Sequence, residues 1–149
     1  MSVAVEFELN RASEAQVAEY LTRSDADFRP PLSTRIGIND YARKIADKAM
    51  RFEAWSGDQL VGLVAAYCND REQYIAYITS VSVSREWSGK GIAVSLMQQC
   101  IAYAKTTGMR KISLEVASDN TPARSLYEKC GFVVSGTNAP FVTMELYLK

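Results

Sequence analysis

A glycine-rich turn, Gly89-Lys90-Gly91, stands between a β-rich run and a long amphipathic segment. It is the feature that most constrains the fold, because it indicates a strand, a tight turn and a helix in succession. The first N–H groups of a helix have no partner within it, and together with the positive end of the helix dipole they can bind a phosphate or diphosphate. Glycine leaves room for the anion to approach the backbone. Two glycines at such a junction also serve tight packing, so both interpretations stay open here.

The length of the chain favours a single domain over residues 1–149, and its charge balance bears on its partners. The chain shows no repeat, linker or low-complexity tract, and its length suffices for one hydrophobic core. Seventeen basic residues balance seventeen acidic ones, so no net field attracts nucleic acid or an anionic membrane surface. The most apolar stretch, 60–68, is too short to cross a bilayer. We therefore expect neither a nucleic-acid nor a membrane partner.

The absence of histidine from the sequence limits the chemistry. It excludes histidine metal sites, Ser-His-Asp triads and imidazole bases. The three cysteines are far apart and lack metal-ligand spacing, so we expect no metal. The first residues do not form a signal peptide, because acidic residues interrupt their apolar run. We expect a reducing, cytoplasmic location.

Hydrophobic periodicity predicts an α/β chain in which a mixed sheet is layered with helices. Helices are predicted at 13–22, 39–50, 92–105 and 121–130, the last with Thr121 as its cap and Pro122 at its first helical position. Strands are predicted at 3–9, 51–55, 60–67, 74–83, 111–116, 132–135 and 141–148.

A second junction completes a recognisable pattern. The segment 120–132 carries Asn120, Ala123, the pair Leu126-Tyr127 and a Gly131-Phe132 ending, about thirty residues after the glycine turn. Together the two segments resemble the GNAT superfamily of acetyl-CoA-dependent N-acetyltransferases. The resemblance is close over residues 74–135 and extends by element order over essentially the whole chain. It implies a mixed, mostly antiparallel central sheet of six to seven strands with about four flanking helices.

The resemblance implies acetyl-CoA as co-substrate. Its diphosphate is expected at the glycine turn and helix start, formed by Ser88, Gly89, Lys90, Gly91, Ile92 and Ala93. Ser88 stands where the family usually has Arg or Gln. One contact with the diphosphate is therefore expected to be weaker or to be made by Lys90. The pantetheine arm is expected to add to a sheet edge opened between strands 74–83 and 111–116. Its partners there are the backbones of Val81 and Val83 and the amide of Asn120.

Transfer of an acetyl group to an amine passes through a tetrahedral oxyanion and expels a thiolate. A backbone N–H near Val81 is a candidate for stabilising the oxyanion. The resemblance implies that Tyr127 is the general acid, although the same residue also fits simple core packing. The base stays open among Glu53, Asp70, Glu72, a water relay through Tyr77 and Thr79, and water alone. Cys130 is interpreted as a structural thiol, because no base stands near it in the pattern.

The acceptor is expected to be a small-molecule amine bound by the loop between the first two helices, 24–38, and by the segments 69–73 and 138–141 beside the opened sheet. Phe28, Arg29 and Arg35 offer an aromatic face and two guanidinium groups, which suit an anionic or nucleotide-linked acceptor. Tyr77 and Thr79 are further acceptor-binding candidates. The amino-acid sequence of 28–33 is similar to that of small GNAT enzymes of bacterial surface-polysaccharide pathways. This similarity implies that the acceptor is a nucleotide-linked amino sugar. Such an amine is less basic than lysine and needs less help from a base.

Other functions remain as alternatives. They are an acetyltransferase acting on protein N-termini, lysines or polyamines, and a non-catalytic acyl-CoA-binding module. A nucleotide-binding oxidoreductase is disfavoured, because Val94 occupies the place of the third glycine in Gly-x-Gly-x-x-Gly. Edge pairing or strand exchange through 141–148 is a candidate route to a homodimer.

Overall fold

A computed structural model describes residues 5–149, which contain seven strands and four α-helices. The helices are α1 (Glu14–Arg23), α2 (Ile38–Lys48), α3 (Ile92–Thr106) and α4 (Thr121–Lys129). The strands are β1 (Glu6–Leu9), β2 (Met50–Ser56), β3 (Gln59–Tyr67), β4 (Ile75–Val83), β5 (Lys111–Ala117), β6 (Val133–Asn138) and β7 (Phe141–Tyr147). The mixed α/β class and the element order are confirmed. Residues 3 and 4 of the first predicted strand lie outside the described residues.

The strands form one sheet in the order β1-β2-β3-β4-β5-β7-β6. Neighbours are antiparallel except β4 and β5, which are parallel and joined through α3. Their pairing runs from Ile75 opposite Lys111 to Ile78 opposite Leu114 and then stops. Beyond Ile78, β4 continues to pair with β3 alone. The opening expected between these two strands is therefore present.

Helices cover both faces of the sheet. Consecutive residues of β3 belong to different cores, because side chains alternate across a strand. Val64 and Ala66 pack in the cluster that contains α3 and α4, whereas Leu63 and Ala65 pack in the cluster that contains α1 and α2. This two-sided burial explains why β3 is apolar nearly throughout. Across the described residues, no helix combines the length and apolarity needed to span a membrane.

Glu53, one of the candidate bases, is a structural residue. Its side chain is completely buried and accepts hydrogen bonds from the backbone N–H groups of Arg11 and Ala12 and from the indole of Trp55. It also pairs with the Arg51 guanidinium at 3.3 Å. A buried carboxylate satisfied in this way ties the start of α1 to β2 and is not free to accept a proton from a substrate. The expectation that Glu53 is a base or a solvated charge is wrong.

The proposed dimerisation strand is not an edge. β7 has β5 on one side and β6 on the other, so its backbone groups are already paired. Simple edge pairing through 141–148 is therefore excluded by the sheet order. The edge on this side is β6, where Val133 and Val134 are 57% and 45% exposed.

Candidate active site

A cleft of about 370 Å³ opens where β4 and β5 part. Its walls are the second half of β4, the end of β5, α4 and the segment 24–37, called here the α1–α2 loop. The cleft brings together many of the residues predicted from the sequence, namely Phe28, Arg29, Arg35, Tyr77, Thr79, Val81, Val83, Asn120 and Tyr127. The glycine turn does not line it.

Beyond Ile78, the side of β4 that faces away from β3 has no neighbouring strand among residues 5–149. The N–H of Ser84 donates to the carbonyl of Val61 on β3 at 2.7 Å. Because N–H groups alternate in direction along a strand, those of Val81 and Val83 point away from β3 towards the side where β5 has separated. A bulge at Thr79, between the paired residues Ile78 and Ser80, marks the start of this unpaired edge. The edge can therefore receive an extended chain with amide groups.

The glycine turn leaves backbone donors free at the start of α3. Gly89 and Gly91 have φ of +76° and +79°, and an added Cβ at either position would meet nothing within 4 Å. Glycine is thus required here for the left-handed backbone, and the space in front of it is open. The N–H of Ser95 makes the first helical bond, to Gly91, so the three preceding N–H groups have no acceptor inside the helix.

Charge at this turn comes from Lys90. The Ser88 hydroxyl donates to the Arg85 carbonyl at 2.7 Å and stabilises the turn before the glycines. The Lys90 side chain is exposed, and no acidic residue occupies the first turn of α3. An anion at this position would therefore meet the positive charge of Lys90 and no carboxylate from the first turn of α3.

Asn120 is the N-cap of α4. Its side-chain oxygen accepts from the N–H of Ala123 at 3.4 Å, and Thr121 is already the first helical residue. The prediction that Thr121 caps the helix is wrong by one position. The cap uses the side-chain oxygen of Asn120 and leaves its NH₂ group as a donor at the cleft.

Tyr127 belongs both to the core and to the cleft. The residue is 7% exposed, and its ring lies 6.2 Å from that of Phe132. Burial, with a smaller effect of Cys130, raises the pKa of Tyr127, so the phenol stays protonated at physiological pH. Burial also raises the pKa of the Cys130 thiol, which makes it a weaker nucleophile.

The remaining predicted acids lie away from the cleft lining, and an unpredicted one is part of it. Asp70 accepts from the N–H groups of Glu72 and Gln73 and closes a surface turn. Glu115, which the sequence interpretation missed, lines the cleft one residue after the last β4–β5 pair. Strand alternation among Ile112, Leu114 and Val116 was the signal that places Glu115 on the opposite face from the core.

Aromatic residues surround the outer part of the cleft. The Arg35 guanidinium carbon lies 4.5 Å from the centroid of the Phe141 ring. The Tyr41 hydroxyl donates to the Thr79 carbonyl at 2.6 Å, and burial raises the pKa of Tyr41 to about 12. Burial and the neighbouring Glu115 raise the pKa of Tyr77. Phe141 belongs to the predicted acceptor segment 138–141, whereas Tyr41 was absent from the predicted site residues.

Two contacts hold the α1–α2 loop in place. Asp25 accepts from the Ser33 N–H at 2.7 Å and from the Ser33 hydroxyl at 2.6 Å. Asp27 pairs with Arg85 from the turn that precedes the glycines. The loop is thus tied to itself and to the segment that leads into α3.

The fold and site define a class of protein. An open, mostly antiparallel sheet with a cleft between two parted parallel strands, beside a glycine turn with free N–H groups, is suited to an extended ligand that ends in a diphosphate. Residues 14–132 match the acetyltransferase (GNAT) family. The chain belongs to this family.

Individual relatives match over shorter stretches. Mycothiol acetyltransferase of Corynebacterium glutamicum (strain R) is 31% identical over 87 residues, which are 58% of this chain and 29% of that protein. Streptothricin acetyltransferase of Escherichia coli is 34% identical over 85 residues, covering 57% and 48%. The matched region thus spans less than half of either relative.

A solved structure agrees over nearly the full length. PaiA N-acetyltransferase of Thermoplasma acidophilum, in complex with coenzyme A, has a TM-score of 0.73 at 16% identity, covering 96% of this chain and 99% of that one. At this identity the likeness shows the fold.

Proposed function

We propose that the protein transfers the acetyl group of acetyl-CoA directly to the primary amine of a small molecule. One observation carries the proposal. β4 pairs with β5 only as far as Ile78, so the backbone of Val81 and Val83 faces an open cleft that Tyr127 also lines. Membership of the acetyltransferase family and the names of the relatives support the same activity.

The donor end holds the co-substrate mainly through the main chain. The N–H groups of Ile92, Ala93 and Val94, with the charge of Lys90, bind the diphosphate. Gly89 and Gly91 leave the approach open, with Ser88 shaping the turn before them. The pantetheine arm pairs with Val81 and Val83 and accepts a bond from the NH₂ of Asn120. Acetyl-CoA supplies the activated acetyl group.

Two side chains move protons during transfer. The Glu115 carboxylate accepts a proton from the acceptor's ammonium group, directly or through water at Tyr77 and Thr79, which generates the nucleophilic amine. The Tyr127 phenol donates its proton to the sulfur that leaves as the new C–N bond forms. The N–H of Val81 faces the acetyl oxygen as charge develops on it.

The acceptor in this proposal is a nucleotide-linked amino sugar. The aromatic rings of Phe28, Tyr77 and Phe141 suit a sugar or base, and Arg29 and Arg35 suit a phosphate. A cytoplasmic location fits the three cysteines, which are all free thiols.

A thiol-release screen tests the function. Acetyl-CoA is offered with amino sugars, sugar nucleotides, polyamines and peptides, and calorimetry measures CoA binding in parallel. We expect CoA binding and release with an amino-sugar acceptor, fastest with a nucleotide-linked one. Release with peptides or polyamines alone would contradict the proposed acceptor. Binding without release from any amine would indicate an acyl-CoA-binding module, and a folded sample that gives no heat with CoA would contradict the whole proposal.

A further inference from the structure

The cleft contains charges of both signs that form no salt bridge among residues 5–149. Its charged lining residues are Asp27, Arg29, Arg35 and Glu115. Asp27 is paired with Arg85. Among residues 5–149, the other three charges lie beyond salt-bridge distance of any opposite charge. One carboxylate and two guanidinium groups are thus available to a ligand.

The two arginines differ in how they are held. The Arg35 guanidinium lies over the Phe141 ring, with its carbon 4.5 Å from the ring centroid, and Phe141 belongs to β7 rather than to the loop that carries Arg35. Such stacking fixes the plane of the guanidinium and leaves its N–H groups free at the edge for a planar or tetrahedral anion. Both arginines are exposed, but no comparable contact with a ring is found for Arg29 among residues 5–149. Arg35 is therefore the preorganised cation of the cleft.

Arg35 and Glu115 reach the same place from different elements. Glu115 follows the last paired residue of β5, whereas Arg35 comes from the end of the α1–α2 loop. Both charges affect the pKa of Tyr77 on β4: besides burial, which raises it most, Glu115 raises it and Arg35 lowers it. A ligand beside Tyr77 is thus exposed to a negative charge and a positive charge together.

We infer that the acceptor carries an acidic group, phosphate or carboxylate, in addition to its amine, and that Arg35 on Phe141 recognises this acidic group and determines specificity. The inference rests on the proposed function and names the residue that recognises the acidic group of the acceptor. The amine lies towards Glu115, where it loses its proton. A polyamine would bring a second positive charge against Arg35 and is disfavoured.

Calorimetry on the CoA-saturated protein with two matched pairs of amines tests this inference. The pairs are glucosamine 6-phosphate with glucosamine, and phenylalanine with phenethylamine, so the phosphate and carboxylate cases are separated. We expect the acidic member of at least one pair to bind about tenfold or more tighter than its neutral partner, as for a hydrogen-bonded charge pair. Arg35→Gln should abolish that preference, and Arg29→Gln should retain most of it.

A second variant probes the ring that holds Arg35. Phe141→Leu keeps the guanidinium and should reduce the preference about two- to fivefold, as expected for loss of a cation–π contact. Equal or tighter binding of the neutral amines, or a preference that survives Arg35→Gln in a folded protein, would overturn the inference. CoA titrated into the free variants reports separately on the proposed function, because Arg35 and Phe141 take no part in the donor end.

Discussion

The proposed donor and acceptor ends of the active site are built from different parts of the polypeptide. The donor end is mostly main chain, namely the free N–H groups at the start of α3 and the unpaired edge of β4. The acceptor end consists of side chains from separate segments: the α1–α2 loop, β4, β5 and β7. Main-chain groups keep their positions as long as the fold is kept, whereas each acceptor side chain can be replaced alone. We conclude that the donor end is fixed by the fold and the acceptor end by a few individual residues.

Tyr127 lies where the two ends meet, and its loss should have the largest effect. Tyr127→Phe keeps the ring in the core but removes the proton donor, so kcat should fall about 100-fold or more. CoA affinity should stay within about twofold, because the donor end is unchanged. Steady-state kinetics and calorimetry measure the two effects. Tyr103→Phe, on the α3 face away from the cleft lining, is the matched control, and an equal loss in both variants would contradict a catalytic role.

Glu115→Gln should impair activation of the acceptor amine and leave the donor end unchanged. The expected fall in kcat/KM at pH 7 is about 10- to 100-fold for a basic amine, because a lysine-like amine of pKa about 10.4 is neutral in only about one molecule in 2,500. Raising the pH should restore much of the rate, since more of the amine is then neutral. Glu72→Gln provides the control in an exposed loop. A variant whose pH–rate profile matches that of the wild type would show that Glu115 is not the base.

Gly91→Ala should weaken CoA binding at the donor end and leave the acceptor end unchanged. An alanine at φ of +79° strains the backbone by about 1–2 kcal/mol. Relief of that strain shifts the N–H groups of the helix start, so the Kd for CoA should rise about tenfold, the equivalent of about 1.4 kcal/mol. The acceptor KM should change little. Gly136→Ala, at a position without positive φ on β6, is the control for unfolding measurements. If Gly91→Ala is destabilised but binds CoA with unchanged affinity, the turn is not part of the CoA-binding site.

The same contrast explains what the sequence could predict. The glycine turn indicates the proposed donor end because a main-chain site of this kind requires glycine at fixed positions along the chain, whereas the cap of α4 was predicted one residue too late. Strand periodicity located the elements to within a few residues, and it also implied that Glu115 faces away from the core. It could not show that Glu115 lies beside Tyr77, because that depends on where two strands stop pairing.

Errors of prediction came from contacts between distant segments. Glu53 looks like a strand-face charge in the sequence, yet it is completely buried, and the N–H groups of Arg11 and Ala12, just before α1, donate hydrogen bonds to it. The pairing of 141–147 with two neighbours depends on the sheet order, which reverses β6 and β7 relative to the chain. Phe141 ends a segment that was predicted at the acceptor side, but its contact with Arg35, more than a hundred residues earlier, could not be predicted. Side-chain sites assembled in this way need the structure.

The smallest effect is expected from loosening the α1–α2 loop, which carries Arg35. The side chain and backbone of Ser33 hold the pKa of Asp25 below its usual value. A carboxyl with a lowered pKa in the folded state stabilises the loop at pH above its unfolded pKa, and the contribution is lost as pH falls through the lowered value. Asp25→Asn should therefore raise the acceptor KM about threefold near neutral pH without changing CoA affinity, because the contact is exposed and weak. At pH values below the lowered pKa, the acceptor KM of Asp25→Asn and that of the wild type should converge. Asp47→Asn is the control. A change in CoA affinity instead of acceptor KM would mean that the two ends of the cleft are not independent.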